Sequence, residues 1–230
     1  MQRSMLVLGG SGFVGQEVCL EGLKRGWTVS SLSRTGAPVQ PLTQQLLSQV
    51  TWHRGSALDP ASYKQPNFSG HGILEDVDYL VHCVRILVPD AQRSYHNVSV
   101  ETLQMALSQA PKTLKGVGYV SAANFGSAFR SILPDYYASK SEAEELLQLE
   151  AQSRGLAVVI ARPGLMWGDG KWLTKPIGLF YNIGTFFAAG LFPRALPAAS
   201  VAKGMLDNLD DPAGKGKVKF LEVSEMSNVQ

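Results

Sequence analysis

Three observations on this 230-residue sequence predict a doubly wound α/β fold. Short apolar runs alternate with stretches of helical periodicity along most of the chain. The runs are continuously apolar, as parallel strands buried on both faces must be. A glycine-rich turn joins the first run to the first helix. Strands alternating with helices imply crossover connections and hence a parallel sheet with helices on both faces.

The elements follow in order. Residues 4–9 (Ser-Met-Leu-Val-Leu-Gly) read as a short buried strand. Residues 13–25 carry apolar side chains at Phe13, Val14, Val18, Cys19 and Leu23, close to helical spacing, and Gly26 stops the run. Further strands are predicted over 28–33, 50–54, 77–84, 116–121 and 156–162, with helices over 97–109 and 139–153, the latter ended by Gly155. After about Pro163 the alternation fails while Gly, Pro and aromatics rise. Residues 1–162 are therefore expected to form the sheet core, and 163–230 a smaller substrate-side lobe packed on it, all within one domain.

Composition narrows the function. With 45% hydrophobic and 17% charged residues the chain is expected to be globular with a sizeable core. A net charge of +2, with no Lys/Arg run, argues against a nucleic-acid partner. Cys19 and Cys83 give neither a disulfide framework nor zinc spacing, and read as buried free thiols. His53, His71, His82 and His96 have no ligand spacing, so no metal is expected. No signal peptide or Arg-rich transit sequence is expected, because the first strand begins by about Ser4.

The turn Gly9-Gly10-Ser11-Gly12-Phe13-Val14-Gly15 satisfies Gly-x-Gly-x-x-Gly through Gly10, Gly12 and Gly15. One glycine makes the tight turn, another lets backbone approach a pyrophosphate, and the last lets helix and strand pack closely. The pyrophosphate then meets the free N–H groups of a helix N-terminus. In its strand–turn–helix setting this predicts a dinucleotide-binding Rossmann unit over roughly the first forty residues. NAD-specific sites place a carboxylate at the end of the second strand, and none occurs between Glu21 and Asp59. That strand ends Ser33-Arg34 instead. Unless Arg34 is a solvated loop residue, its guanidinium suits a 2′-phosphate, so NADP(H) is predicted over NAD(H).

The chemistry is read from Ser121, Tyr136 and Lys140. Tyr136 and Lys140 are four apart and share a helix face. An ammonium beside a phenol favours the phenolate, which suits Tyr136 to proton donation in carbonyl reduction. Ser121, at the C-terminal edge of the sheet, could hold the substrate oxygen. Tyr137 replaces Tyr136 if the helix begins in another register. Lys140 could instead hold ribose hydroxyls without any catalysis.

These residues resemble the short-chain dehydrogenase/reductase superfamily, in its extended or atypical branch. The likeness rests on the glycine motif at 9–15, Asn97, Val-Ser-Ala at 120–122, Tyr136/Lys140 and Arg162-Pro163-Gly164. Shorter motifs at 31–36, 120–126, 162–166 and 174–177 are similar to the fungal mitochondrial coenzyme Q biosynthesis branch and its plant plastid relatives. A more distant likeness is to the NADPH-binding accessory subunit of respiratory complex I. The resemblance implies a nicotinamide cofactor contacted by the glycine loop, Ser33, Arg34, Cys83, Val84, Arg85, Ser121, Lys140, Pro163 and Gly164. It also implies a mitochondrial location on the matrix side, peripheral to the inner membrane, a lipophilic quinone-type substrate, and association with a coenzyme Q biosynthesis complex. Two positions depart from the family pattern. Gly55-Ser56 replaces Gly-Asp after the third strand, and Val84-Arg85 replaces a small residue after the fourth. Both bear on hydride transfer more than on the fold. The complex I relative carries the alternative, a nucleotide held by a non-catalytic assembly or regulatory subunit. A sugar-nucleotide or flavonoid-type reductase is a third reading.

Pro176–Pro193 is 18 residues without a charge. It is barely long enough to span a membrane, and it carries Asn182, Thr185 and three glycines. The reading is core or pocket wall, with a membrane-facing surface that includes Phe186 and Phe187 as the alternative.

Overall fold

The computed structural model describes residues 2–67, 69–86, 88–124, 127–168 and 195–227. Seven parallel strands form the central sheet: β1 (Ser4–Leu8), β2 (Thr28–Ser33), β3 (Thr51–Arg54), β4 (Tyr79–His82), β5 (Gly116–Val120), β6 (Ala157–Ala161) and β9 (Val218–Leu221). Their order is β3-β2-β1-β4-β5-β6-β9. Two short strands, β7 (Met166–Trp167) and β8 (Leu196–Pro197), pair beside this sheet. The chain winds outward from β1 in both directions, so the order reverses between β1 and β4. In open α/β sheets ligands bind at that switch point, beyond the carboxyl ends of the strands.

Two apolar layers explain the continuously apolar strands. Met5, Val7, Val29, Val81, Val159 and Ala161 face one core, packed with Val14 and Val18 of α1 (Phe13–Lys24). Leu6, Leu8, Leu80, Val158 and Ile160 face the other, packed with Leu103 and Leu107 of one helix and Leu147 of another. Successive strand side chains point to opposite faces, so helices on both sides demand apolar residues at every strand position.

The remaining helices are α2 (Gln44–Gln49), α3 (Thr102–Gln109), α4 (Ser127–Ile132), α5 (Pro134–Arg154), α6 (Ala198–Leu209) and α7 (Val223–Ser227). The helix predicted over 97–109 is two elements, a π-helical turn Asn97–Glu101 running into α3. The helix predicted from Ser139 begins five residues earlier, because Pro134 suits the first helical turn, where its missing N–H is not needed. It ends where expected, at Gly155 in the left-handed conformation with φ of 67°. The strand expected over 77–84 is only Tyr79–His82.

The seventh strand is not foreseen by the sequence. β9 pairs in parallel with β6, matching Val159 to Lys219 and Ile160 to Phe220. α6 docks on the α1 side, where Met205 and Leu206 enter the core and Arg25 reaches Asp207 at 2.6 Å. The described part of 163–230 thus extends the sheet as well as flanking it. Pro176–Pro193 and the motif at 174–177 lie outside the described residues. No helix among the described residues is long and apolar enough to cross a membrane.

Candidate active site

At the switch point lies a cleft of about 740 Å³. One wall is the glycine loop. Gly9 takes φ of +79°, and a Cβ there would press on the Cys83 backbone at 3.2 Å. Gly15, one turn into α1, packs on the Gly9 carbonyl so closely that a Cβ would collide with it. The loop closes through Gly12 N–H donating to the Gly9 carbonyl at 2.9 Å. Gln16 braces it from behind: its amide donates to the Ser11 and Gln40 carbonyls, and its Oε1 accepts from Leu42 N–H at 3.0 Å. α1 has no acidic residue in its first turn and no capping side chain, so its N–H groups face the cleft with the positive end of the helix dipole.

Ser11, Gly12, Phe13, Val14, Ser33, Arg34, Cys83, Val84 and Arg85 line this cleft, together with Gly9. Gly10 and Gly15 sit behind the loop and shape it. Arg34 and Thr35 stand where β2 ends, and the Thr35 hydroxyl meets that of Ser11 at 3.1 Å. The sequence reading missed Leu32, Thr35, Ala57, Leu58, Gln92, Arg93, Val98, Thr102 and Val120, which also line the cleft. Thr35, Ala57 and Leu58 follow β2 and β3, so the rule that ligands sit past strand ends was the available signal. Gln92, Arg93 and Val98 come from the approach to the π-helical turn and carried none.

Among the described lining residues there are three arginines and no carboxylate. Arg93 is held by Asp90 through Nε at 2.6 Å. Arg34 and Arg85 are exposed and make no hydrogen bond or ion pair among the described residues. A concave site with this charge suits an anionic ligand.

The three residues read as catalytic do not converge on the cleft. Ser121, expected to hold a substrate oxygen, is buried and donates its hydroxyl to Glu144 at 2.6 Å. Glu144 in turn accepts from Arg162 at 2.5 and 3.1 Å, and Arg162 also reaches Glu222 at 3.1 Å. A carboxylate in the neighbouring helix outcompetes solvent for a buried hydroxyl, which turns Ser121 inward. The same network takes Arg162 away from the cleft. Pro163 accepts from Ala123 N–H at 3.0 Å, and neither it nor Gly164 lines the cleft.

Lys140 also points inward. Its ammonium donates to the Tyr119 hydroxyl at 3.2 Å and the Val120 carbonyl at 3.0 Å. Burial, with the Arg85 guanidinium opposing a second cation, lowers the Lys140 pKa to about 7. The Tyr119 ring lies tilted against His82 with centroids 5.3 Å apart, and His82 Nε2 meets the Thr102 hydroxyl at 2.7 Å. Because that hydroxyl donates to the Val98 carbonyl, His82 Nε2 carries the proton. Burial pushes His82 down to about 3, so it is neutral. Tyr136 is half-buried at the start of α5, its ring edge-on to Tyr95 and Tyr137, each at 5.3 Å. Burial raises its phenol above the usual value while Arg85 opposes the rise, so Tyr136 stays protonated at neutral pH. Cys83 is half-exposed rather than buried, and desolvation lifts its thiol to about 12. No cluster of metal-ligating side chains occurs among the described residues.

A parallel sheet in this order, with a glycine loop beneath a helix N-terminus at the switch point, defines a Rossmann-like α/β fold. Known proteins agree on that fold. An ElxO variant with NADPH bound superposes with a TM-score of 0.71 at 18% identity, over 99% of this chain and 100% of its own. Bordetella bronchiseptica WbmF in complex with NAD+ gives 0.64 at 18% identity, over 99% and 77%. The first of these neighbours holds NADPH and the second NAD+. In sequence, MIOREX complex component 2 of Saccharomyces cerevisiae is 23% identical over 97% of this chain and 99% of its own length. No family model matches the chain.

Proposed function

We propose that this chain binds NADP(H) in preference to NAD(H), and that it is an oxidoreductase acting on a lipophilic quinone-type intermediate in mitochondrial ubiquinone biosynthesis. The observation that carries the nucleotide reading is the cleft: a glycine loop under a helix N-terminus, Arg34 at the end of β2 and no carboxylate among its described lining residues. The loop fits a pyrophosphate, because side chains at Gly9 or Gly15 would fill the space where backbone approaches backbone. Arg34 fits a 2′-phosphate, and no carboxylate is there to take a 2′-hydroxyl.

NADPH supplies a hydride when bound. The chain's own part is binding, orientation and proton delivery. Tyr136, kept protonated by burial at the start of α5 and outside the described cleft lining, is the proton donor in this reading, which requires the substrate to extend from the cleft to it. Lys140 acts from beneath, through Tyr119 and the Val120 carbonyl. The intermediate and the location rest on the coenzyme Q branch resemblance. The yeast relative named as a complex component supports work within an assembly; the matrix-side position rests on the resemblance alone.

A second reading is favoured by a specific observation. Ser121 is committed to Glu144 and Lys140 to Tyr119, the arrangement expected of a subunit that holds a nucleotide without turning it over. Thermal shifts with NADPH and NADH test the cofactor, and a larger shift with NADH sinks the Arg34 argument. Profiling quinone intermediates in cells lacking the protein tests the pathway. Tyr136→Phe separates the two readings: full rescue by it, with no rescue by a Gly12→Val protein, leaves binding and removes catalysis by Tyr136.

A further inference from the structure

Each anionic part of NADP(H) has a partner in the reading above, and one cation is left over. The pyrophosphate takes the N-terminus of α1, and the 2′-phosphate takes Arg34. Arg93 is neutralised by Asp90. Arg85 remains, exposed on the cleft two residues past Cys83, with no carboxylate opposite it among the described lining residues. It lies at the end of β4, on the α5 side of the cleft. Its charge is felt by both Tyr136 and Lys140.

The surroundings of Arg85 are divided in character. Ile86 and Val88 line the cleft beside it, and Val88 is 75% exposed despite being apolar. Lys140 crowds the same region with a second, buried cation whose hydrogen-bond partners are neutral oxygens. A cation without a counter-charge next to apolar wall is complementary to a ligand that is apolar in body and anionic at one point.

We infer that Arg85 is the receptor for a carboxylate on the substrate, and that the substrate is an apolar compound carrying a carboxylate rather than an uncharged one. This rests on the nucleotide reading for where the substrate sits, since it assigns Arg85 to the substrate and not to a nucleotide phosphate. The guanidinium accepts the carboxylate in a two-point contact, and Ile86 and Val88 cover the apolar body. The bound group is then oriented beside Tyr136. Arg85 is thus a specificity-determining residue.

The test uses the full chain and two probes of equal shape, benzoate and benzamide, titrated calorimetrically at fixed ionic strength with and without saturating NADPH. A charge-assisted contact of ordinary strength makes benzoate roughly ten- to a hundred-fold tighter than benzamide. That preference is expected in both states, because Arg85 belongs to the protein. Arg85→Gln brings the ratio to near one, and Arg85→Lys keeps part of the preference. A ratio near one in the wild type overturns the inference, as does a preference that survives Arg85→Gln. An Arg85→Gln protein that loses about tenfold or more in NADPH affinity with an unchanged ratio assigns Arg85 to the nucleotide instead. Failure of the wild type to bind NADPH, alongside an Arg85-dependent preference for benzoate, refutes the nucleotide reading and supports the assignment of Arg85.

Discussion

Lys140 offers a perturbation whose size follows from the structure. Its ammonium is buried and, among the described residues, donates to the Tyr119 hydroxyl and the Val120 carbonyl, and its pKa falls from 10.5 to about 7. A cation whose pKa is lower folded than unfolded releases its proton first in the folded state. Between those two values the unfolded chain binds more protons, so stability rises with pH across that window and is at its lowest below pH 7. From about pH 6.5 to 8.5 the rise from this one residue is about 2 kcal/mol, at 1.36 kcal/mol per pH unit once the folded group has titrated. Other groups titrate nearby. His82 gains stability as pH rises toward its unfolded value, and the raised thiols of Cys19 and Cys83 lose it above theirs. The assay is therefore urea unfolding of wild type and Lys140→Met at both pH values. These other contributions largely cancel in the difference between the two proteins. The wild type should gain about 2 kcal/mol on the variant between the two pH values. A difference independent of pH would refute the claim that burial and Arg85 disfavour the ammonium.

Other expectations follow from the same contacts. Gly15→Ala pushes a methyl into the Gly9 carbonyl, so it should abolish the NADPH thermal shift and cost about 1–3 kcal/mol in urea unfolding. Arg34→Ala removes the cation expected at the 2′-phosphate, and should lower the NADPH-to-NADH affinity ratio by roughly tenfold, read by calorimetry. Glu144→Ala strips the partner from Ser121 and Arg162. Because the Arg162 side chain is 31% exposed, the loss should be about 2–3 kcal/mol, below the 3–5 kcal/mol of a fully buried pair. Glu144→Gln, which still accepts from Ser121, should lose less in the same denaturation.

Much of the sheet was legible because the central strands β1, β4, β5 and β6 are buried on both faces and therefore largely apolar. Leu6 and Val7, or Val158 and Val159, announce such burial without help from distant residues. β9 was not legible for the opposite reason. Val218-Lys219-Phe220-Leu221 is an edge strand with Lys219 exposed, and only its pairing to β6 marks it as part of the sheet. The helix is predicted from Ser139 although Tyr136 and Lys140 are read as sharing a helix face; Pro134, which suits the first helical turn, sets the start of α5.

The candidate site divides in the same way. The glycine loop and Arg34 were readable because their role depends on backbone freedom and local position after a strand. Thr102, Gln92 and Arg93 were not, since they reach the cleft only through the way the fold places the π-helical turn and the residues on either side of it. Glu144 carried no signal at all. It is an ordinary helix glutamate in sequence, and its burial beside Ser121 and Arg162 comes from the register of α5 against β5 and β6.

By itself, then, the sequence determined the dinucleotide-type loop, the parallel sheet and the missing acidic residue after β2, because these depend on neighbours within a few positions. Tertiary structure alone decided where the polar side chains turned. Ser121 went to Glu144, Lys140 to Tyr119, and Arg85 was left facing the cleft without a counter-charge among the described residues. The physical reason is that a buried hydroxyl or ammonium takes the nearest partner the folded elements bring to it, and that partner lies 20 or more residues away along the chain in both cases.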